Sequence, residues 1–511
     1  MNPMKMNNDK ITLMEENIKY QPRGPHHVFL AVVGLVFFAL AFVFVFFPRM
    51  EYSELEKRDL ATPPSIYDLF ENPSKFTSDV SYWFSDSEPY RDHFMTMSMG
   101  IRNGLKYYPF GEAENTISFK AADDDNTNPT KNLFDPGNLE AQGNPLAEEN
   151  AKIATAGIFV IGKEPNVRAI TAFGGMPQYM TSYLSILKAY ADELPGVTIY
   201  AVPIPTSGEF YIPDKAASRT KPQKPLVDYI RDNVDKKVKF VDAYKFLAAH
   251  TREDIYLRTD HHWTPLGAYY AAQALAVAAG TPFKTLDSYE KKTIHNFVGS
   301  MYGYSKDISV KNSPEDFIYY IPKGLPFETT YVSYKLDKNY NIVSESGPYK
   351  GKFFHEFKDG SSMAYSTYMG GDSHLVKIST GTPGNRKLLI IKDSFGNPVP
   401  SFLFYSFSEI HVVDFRYFTK NMKQYVKENG ITDLAMVFNL YNLCSNSAMA
   451  KVKDFLHQQA GIRPVSSSST GTSDTKNATL NEEKSETIDN EKDTPPSEEK
   501  KENLEIPSPE L

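Results

Sequence analysis

A chain of 511 residues with a formal net charge of −8 is long enough to bury a large core, and it is too acidic for nucleic acid to be its partner. Its one cysteine, Cys444, excludes an intramolecular disulfide and any multi-cysteine metal site.

From the N-terminus, the first strong signal is the run from Val28 to Phe47, VFLAVVGLVFFALAFVFVFF, which carries no charged or polar side chain. At the helical rise such a run covers roughly 30 Å, the thickness of a hydrocarbon core. It exceeds a signal-peptide core, and no small-x-small cleavage site follows it, so the expectation is a retained transmembrane anchor. Lys10, Lys19 and Arg23 before it nearly balance Arg49, Lys57 and Arg58 after it. The expected order is a cytoplasmic N-terminus at 1–27, a single-pass anchor at 28–47 and an extracytoplasmic body at the cell membrane.

Residues 50–112 mix aromatic and charged side chains and predict a lead-in of short helices. The stretch 113–152 is acidic and rich in Asn, Gly and Pro, and predicts a long surface loop or insert. Regular structure resumes in a domain at 153–464. Apolar runs at 157–162, 197–203, 238–242, 387–392, 409–414 and 433–438 predict buried strands, and 177–194, 224–234, 265–279 and 415–430 predict helical segments. Pro265 opens the third of these and Gly280 ends it. Strands alternating with helices predict an α/β sandwich with a mostly parallel sheet. Residues 283–385, rich in Tyr, Phe, Lys and Gly, read as a β-rich insertion decorating that core, and 465–511, nearly free of aromatics, as a disordered tail.

The chemistry concentrates in Arg258-Thr259-Asp260-His261-His262-Trp263-Thr264. On an extended chain residues i and i+2 share a side, so Asp260 can reach the ring of His262. A carboxylate that fixes one ring nitrogen leaves the other free as a base. His261 then faces the other way and reads more readily as a structural histidine. Trp263 reads as packing. Arg258 and Arg416 could each bind an anionic group, although lone arginines are more often ion-paired.

The leading nucleophile is Ser394, at the end of the apolar strand Leu388-Leu-Ile-Ile-Lys-Asp and followed at once by Phe395, Gly396, Asn397 and Pro398. The end of a strand is where α/β folds bind ligands. The turn after it, Gly396 and Asn397, could offer donors to an oxyanion. The bland alternative is that Asp393-Ser394 merely caps a helix. Ser373, in Gly370-Gly371-Asp372-Ser373-His374, is a weaker competitor because no apolar strand leads into it. No HExxH or comparable ligand cluster is present, so no metal and no cofactor are expected.

With Asp260-His261-His262-Trp263 and Lys392-Asp393-Ser394-Phe395-Gly396-Asn397 in view, the chain resembles the DHHW family, which is similar to the SGNH-hydrolase-like alginate O-acetyltransferase proteins AlgJ and AlgX. The resemblance spans roughly 50–455 and includes Glu56 to Leu60, Phe297 to Tyr302, Gly370-Gly371-Asp372 and Val413 to Tyr417. It implies an SGNH-like three-layer sandwich and a triad of Asp260, His262 and Ser394. Asn397, Gly396, Arg416, Tyr417 and His261 are the candidates for oxyanion or substrate contacts. This chain departs at His261, where the alginate proteins usually carry a hydroxyl residue, and in Lys-Asp-Ser-Phe around the serine. The expected activity is O-acyl transfer, most simply O-acetyl transfer, to a surface or secreted polysaccharide. A multi-spanning membrane-bound O-acyltransferase (MBOAT) would supply the acyl group. The alternatives are a carbohydrate esterase with the same triad, or a non-catalytic scaffold whose aromatic residues at 300–370 stack on sugars.

Overall fold

The computed structural model describes residues 23–53, 58–105, 139–154, 157–337 and 341–462. Residues 1–22 of the expected cytoplasmic segment 1–27, residues 113–138 of the expected acidic insert 113–152 and the expected tail 465–511 lie outside them. The chain divides into two units, Met1–Ser98 and Met99–Leu511.

In the first unit the expected anchor falls on a helix, Arg23–Phe46. Among the described residues, no helix is long and apolar enough to cross a membrane. The side chains at 23–27, 40, 44 and 45 are not among them, so the structure does not supply the span that the sequence predicts. The described part of the lead-in contains the helices Ile66–Glu71 and Pro73–Asp86, separated by Asn72. Ser65 and Asp68 form a reciprocal capping box on the first of these, and the Asn72 side chain caps the second.

The second unit is organised on an eight-stranded sheet. Its strands in chain order are β1 (Thr198–Ile204), β2 (Val238–Phe240), β3 (Phe327–Leu336), β4 (Ile342–Gly351), β5 (His374–Thr380), β6 (Lys387–Lys392), β7 (Glu409–Asp414) and β8 (Asp433–Asn439). Their spatial order is β4-β3-β5-β7-β6-β8-β1-β2. From β7 to β2 every pairing is parallel, and β5, β3 and β4 add an antiparallel edge.

The parallel strands are apolar throughout because both of their faces are covered. Tyr200, Val202, Leu388, Ile390, Ala435 and Val437 enter one hydrophobic cluster, with the helix Pro265–Ala279. Ile199, Ala201, Leu389, Ile391, Leu434 and Met436 enter the other, with the helix Thr181–Glu193. Alternate side chains of one strand thus face two different helical layers, which makes the domain a three-layer α/β/α sandwich.

Three expectations need correction. The sheet is mixed rather than mostly parallel. The region 283–385 is not decoration, because it contributes β3, β4 and β5 to the main sheet, besides a separate hairpin of Tyr289–Phe297 and Glu315–Pro322. The apolar run at 157–162 is a strand, Ile158–Ile161, but it belongs to a small antiparallel sheet with Ala151–Ile153 and Arg168–Thr171. Buried apolar runs of four residues look alike in either setting, so periodicity cannot tell them apart.

The parallel strands β1, β6, β7 and β8 all end at the same edge of the sheet. Thr206, Ser394, Asp414 and Asn439 lie at or just beyond those ends.

Candidate active site

Asp260, His262 and Ser394 converge there. The Nδ1–H of His262 donates to Asp260 Oδ1 at 2.6 Å, and the Ser394 hydroxyl donates to His262 Nε2 at 2.8 Å across 132 positions of sequence. The carboxylate selects the tautomer with the proton on Nδ1, which leaves Nε2 as acceptor. Asp260 and His262 are buried and Ser394 is partly exposed.

The segment is not extended, as the sequence reading assumed. It is a tight loop in which Asp260 Oδ1 also accepts the backbone N–H of His262 at 3.1 Å. That local side-chain-to-backbone bond replaces strand periodicity as the reason the pair meets. For the same reason His261 does not face away. Its ring centroid lies 3.7 Å from that of His262, and its Nδ1 pairs with Ser300 Oγ at 2.7 Å.

Two braces hold the loop. Ser300 N–H donates to Asp260 Oδ2 at 2.8 Å. A Cβ at Gly299 would stand 2.3 Å from Asp260 Cβ, so the approach requires glycine. The other brace is Glu315, on the hairpin from the 283–385 region. Its carboxylate accepts the N–H of Arg258, the N–H of Thr259 and the Thr259 hydroxyl, the last two at 2.6 Å. Burial pushes Glu315 above the ordinary carboxylate range, against the pull of those donors. Trp263 is fully buried, as expected of a packing residue, and it also donates Nε1–H to the carbonyl of Phe395 at 2.8 Å. That bond ties the histidine loop to the serine turn.

The serine turn is built on buried charge. Lys392 Nζ sits between Asp372 Oδ1 (2.9 Å) and Asp414 Oδ2 (2.8 Å). Arg416 binds Asp414 through Nε (2.7 Å) and reaches Asp372 Oδ2 (2.8 Å). Burial opposes the charged form of Asp372, but Lys392 and Arg416 outweigh it and hold the carboxyl far below its usual range. Asn397 Nδ2 donates to Asp372 Oδ1 at 2.9 Å. A Cβ at Gly396 would stand 2.4 Å from Lys392 Cβ, so glycine lets the turn fold back onto its own strand.

This network corrects several expectations. Arg416 is paired with two carboxylates of the chain itself, Asp414 and Asp372. Arg258 is likewise tied to the carbonyls of Pro165, Val167 and Pro314. The N–H groups of Gly396 and Asn397 bond within the turn, to the carbonyls of Asp393 and Ser394, so they are not available to an oxyanion. Tyr417 is buried in the hydrophobic cluster that holds Phe415 and Phe418. No hydrogen bond joins the Ser373 hydroxyl to a histidine among the described residues, and its neighbour Asp372 belongs to the Lys392 network. Asp393 does cap the turn, accepting Phe395 N–H at 3.0 Å, so the capping reading and the nucleophile reading of Asp393-Ser394 are both compatible with this geometry.

Two residues escaped the sequence reading. The ring of Tyr365 stacks on His262, and its hydroxyl donates to the Ser394 carbonyl at 3.0 Å. Asn439, at the end of β8, uses Oδ1 to accept Asn442 N–H at 3.0 Å, while its Nδ2 makes no hydrogen bond among the described residues. It lines the same cleft as His261 and Phe395. The backbone N–H of Ser394 is also unbonded among the described residues. Both lie at the ends of parallel strands on the edge of the sheet that carries Ser394. The position of Asn439 after an apolar parallel strand was a signal available in the sequence. Nothing local marked Tyr365.

Asp260, His261 and His262 could in principle present ligand atoms to a metal, since these lie within 4.8 Å of one another. However, the nitrogen of His262 nearest Asp260 carries a proton in the hydrogen-bonded arrangement, which suits a base and its orienting carboxylate rather than a ligand set.

The sequence profile described as DHHW protein matches residues 166–413, which contain both motifs. A solved DHHW family protein from Eubacterium siraeum is 34% identical, with a TM-score of 0.53 over 61% of this chain and 99% of that one. The chain therefore belongs to the DHHW family. Lower similarity extends to Bacillus cereus PatB1 (17% identity, TM-score 0.44, 59% of this chain and 99% of that one). It extends also to the O-acetyltransferase domain of Pseudomonas putida AlgJ (14%, TM-score 0.33, 60% and 99%). No curated protein matches the sequence.

Proposed function

We propose that this chain is an O-acyltransferase that works by an acyl-serine intermediate and modifies a surface or secreted polysaccharide, most simply by O-acetylation. The observation that carries the reading is the unbroken hydrogen-bond chain from Asp260 through His262 to Ser394. Ser394 Oγ attacks the carbonyl carbon of a donor ester while its proton passes to His262 Nε2. The proton then moves to the departing alkoxide as the carbon–oxygen bond of the donor breaks. In the second half a sugar hydroxyl attacks the acyl-serine and gives its proton to His262. The bond to Oγ breaks, and Ser394 takes the proton back. Asp260 keeps the ring oriented and stabilises the imidazolium.

An extracytoplasmic location, tethered by residues 28–47, rests on the uncharged run in the sequence. A membrane-bound O-acyltransferase as acyl supplier rests on the motif resemblance alone. The esterase reading uses the same triad with water as acceptor. On the scaffold reading, Tyr302, Phe317, Tyr319, Tyr331, Phe353 and Tyr368 of the 300–370 region are buried and cannot stack on a glycan, whereas Tyr349 is exposed.

The test is an ester donor offered with and without acceptor oligosaccharide. Transfer of the acyl group to sugar by the wild type, and its loss in Ser394→Ala with the fold retained, supports the proposal. Hydrolysis alone, unchanged by sugar, selects the esterase. Transfer that persists in Ser394→Ala ends the triad reading.

A further inference from the structure

We infer that His261 is a positioning residue: with Tyr365 it clamps the imidazole of His262 between two rings, and the clamp holds the base in place while Ser394 carries the acyl group. The inference rests on the acyl-serine reading above.

The ring centroid of His261 lies 3.7 Å from that of His262, with the planes inclined by 38°. The centroid of Tyr365 lies 3.8 Å from it, with the planes inclined by 9°. Carbon atoms pack no closer than about 3.5 Å, so two rings this near one centroid cannot share a face. They cover opposite faces of the imidazole. Rotation about its Cβ–Cγ bond, which would swing the ring out of plane, therefore meets a ring in either direction. His261 is itself anchored. Its Nδ1 pairs with Ser300 Oγ at 2.7 Å, and the N–H of Ser300 donates to Asp260 Oδ2 at 2.8 Å. One serine thus ties the clamp to the carboxylate that orients the base.

The need for a clamp changes through the reaction. In the free enzyme His262 is held at both ring nitrogens, Nδ1 by Asp260 and Nε2 by Ser394. Once Oγ has bonded to the acyl carbon and its proton has left with the donor alkoxide, Ser394 has no proton to donate and the bond to Nε2 is gone. Asp260 and the two rings then hold the imidazole until a sugar hydroxyl arrives. Losing one ring should slow transfer from the acyl-serine more than formation of it.

The experiment uses the full chain, an aryl acetate as donor and an acceptor oligosaccharide. The donor's kcat/KM reports acylation. Mass spectrometry of quenched samples gives the fraction of Ser394 that carries acetyl, and turnover divided by that fraction is the transfer rate. His261→Ala should keep kcat/KM within roughly a factor of three, raise the acetylated fraction and slow transfer roughly tenfold or more. His261→Phe, which keeps the ring face, should recover most of the transfer rate. In Ser394→Ala the low-field proton resonance of His262 Nδ1–H should persist, because the clamp and Asp260 still hold the ring. That measurement decides the question even if neither His261 variant folds. Equal slowing of both steps in His261→Ala, no recovery in His261→Phe, or loss of the resonance in Ser394→Ala overturns the clamp and leaves the triad standing. Transfer to sugar with no acetyl found on Ser394 in any chain overturns the acyl-serine reading, and the clamp with it.

Discussion

The ring of Tyr365 lies on the ring of His262, with centroids 3.8 Å apart and planes inclined by 9°. Because its hydroxyl also bonds the Ser394 carbonyl, one buried side chain touches both partners of the proton transfer. Tyr365→Phe keeps the stack and loses the tether, which at about 1 kcal/mol for a neutral hydrogen bond is at most a roughly tenfold fall in kcat. Tyr365→Leu loses both, and kcat should fall roughly a hundredfold from misplacement of the imidazole. Turnover of an activated ester by the two variants checks this. Equal losses would mean that stacking does nothing.

Asp260→Asn replaces one of two accepting oxygens with an amide NH2, which either faces His262 and favours the wrong tautomer or faces Ser300 and gives up that brace. The expected fall in kcat is roughly 10⁴-fold, with a stability loss of about 1–3 kcal/mol. A near wild-type rate would show that the carboxylate does not orient the base.

Glu315→Ala removes the acceptor of three donors on the loop that leads into Asp260. Leaving them unpaired should cost about 1–3 kcal/mol of stability and should lower kcat more than it raises KM, since the groups affected position the base. Denaturant melts and steady-state kinetics on one preparation separate the two effects.

Lys392→Met leaves Asp372 and Asp414 with one fewer compensating cation, an error worth about 3–5 kcal/mol in buried pairs. Adding Asp372→Asn to the same chain should recover part of the loss. A double variant less stable than the sum of the singles would refute the network as drawn.

Burial pushes Asp393 up to about 6, against the pull of the Asn442, Asn439 and Phe395 donors. The unfolded carboxyl titrates near 4. Between those values the folded chain holds a proton that the unfolded chain releases, so this group's contribution is complete below about pH 4 and is lost as pH rises through about 6. The swing is about 3 kcal/mol. Asp393→Asn should lack it, so the stability difference between wild type and variant, followed by denaturant midpoints from pH 4 to 7, should slope across that window. A flat difference curve refutes it.

Much of the strand and helix pattern of the second unit was legible in the sequence because both signals are local. β6, β7 and β8 appear as apolar runs, and the helix from Pro265 is bracketed by its own proline and by Gly280. The region 283–385 was misjudged because antiparallel edge strands are set by which partner they meet. β4, exposed along nearly its whole length, carries no apolar pattern that would assign it to the main sheet. Arg416 was misjudged because an arginine's role depends on the carboxylates around it, and Asp372 lies 44 positions away.

The ingredients are local: a carboxylate and an imidazole close enough in the chain to pair, and a serine delivered by a buried strand to the open edge of a sheet. Those depend on spacing and hydrophobicity, which adjacent residues express. Long-range contacts set the rest: the histidine loop is bent rather than extended, Glu315 and Tyr365 brace it, and Arg416 pairs with the buried carboxylates behind Ser394. Each of those facts is a hydrogen bond, an ion pair or a ring contact between distant segments, and chain folding alone chooses which distant segments meet.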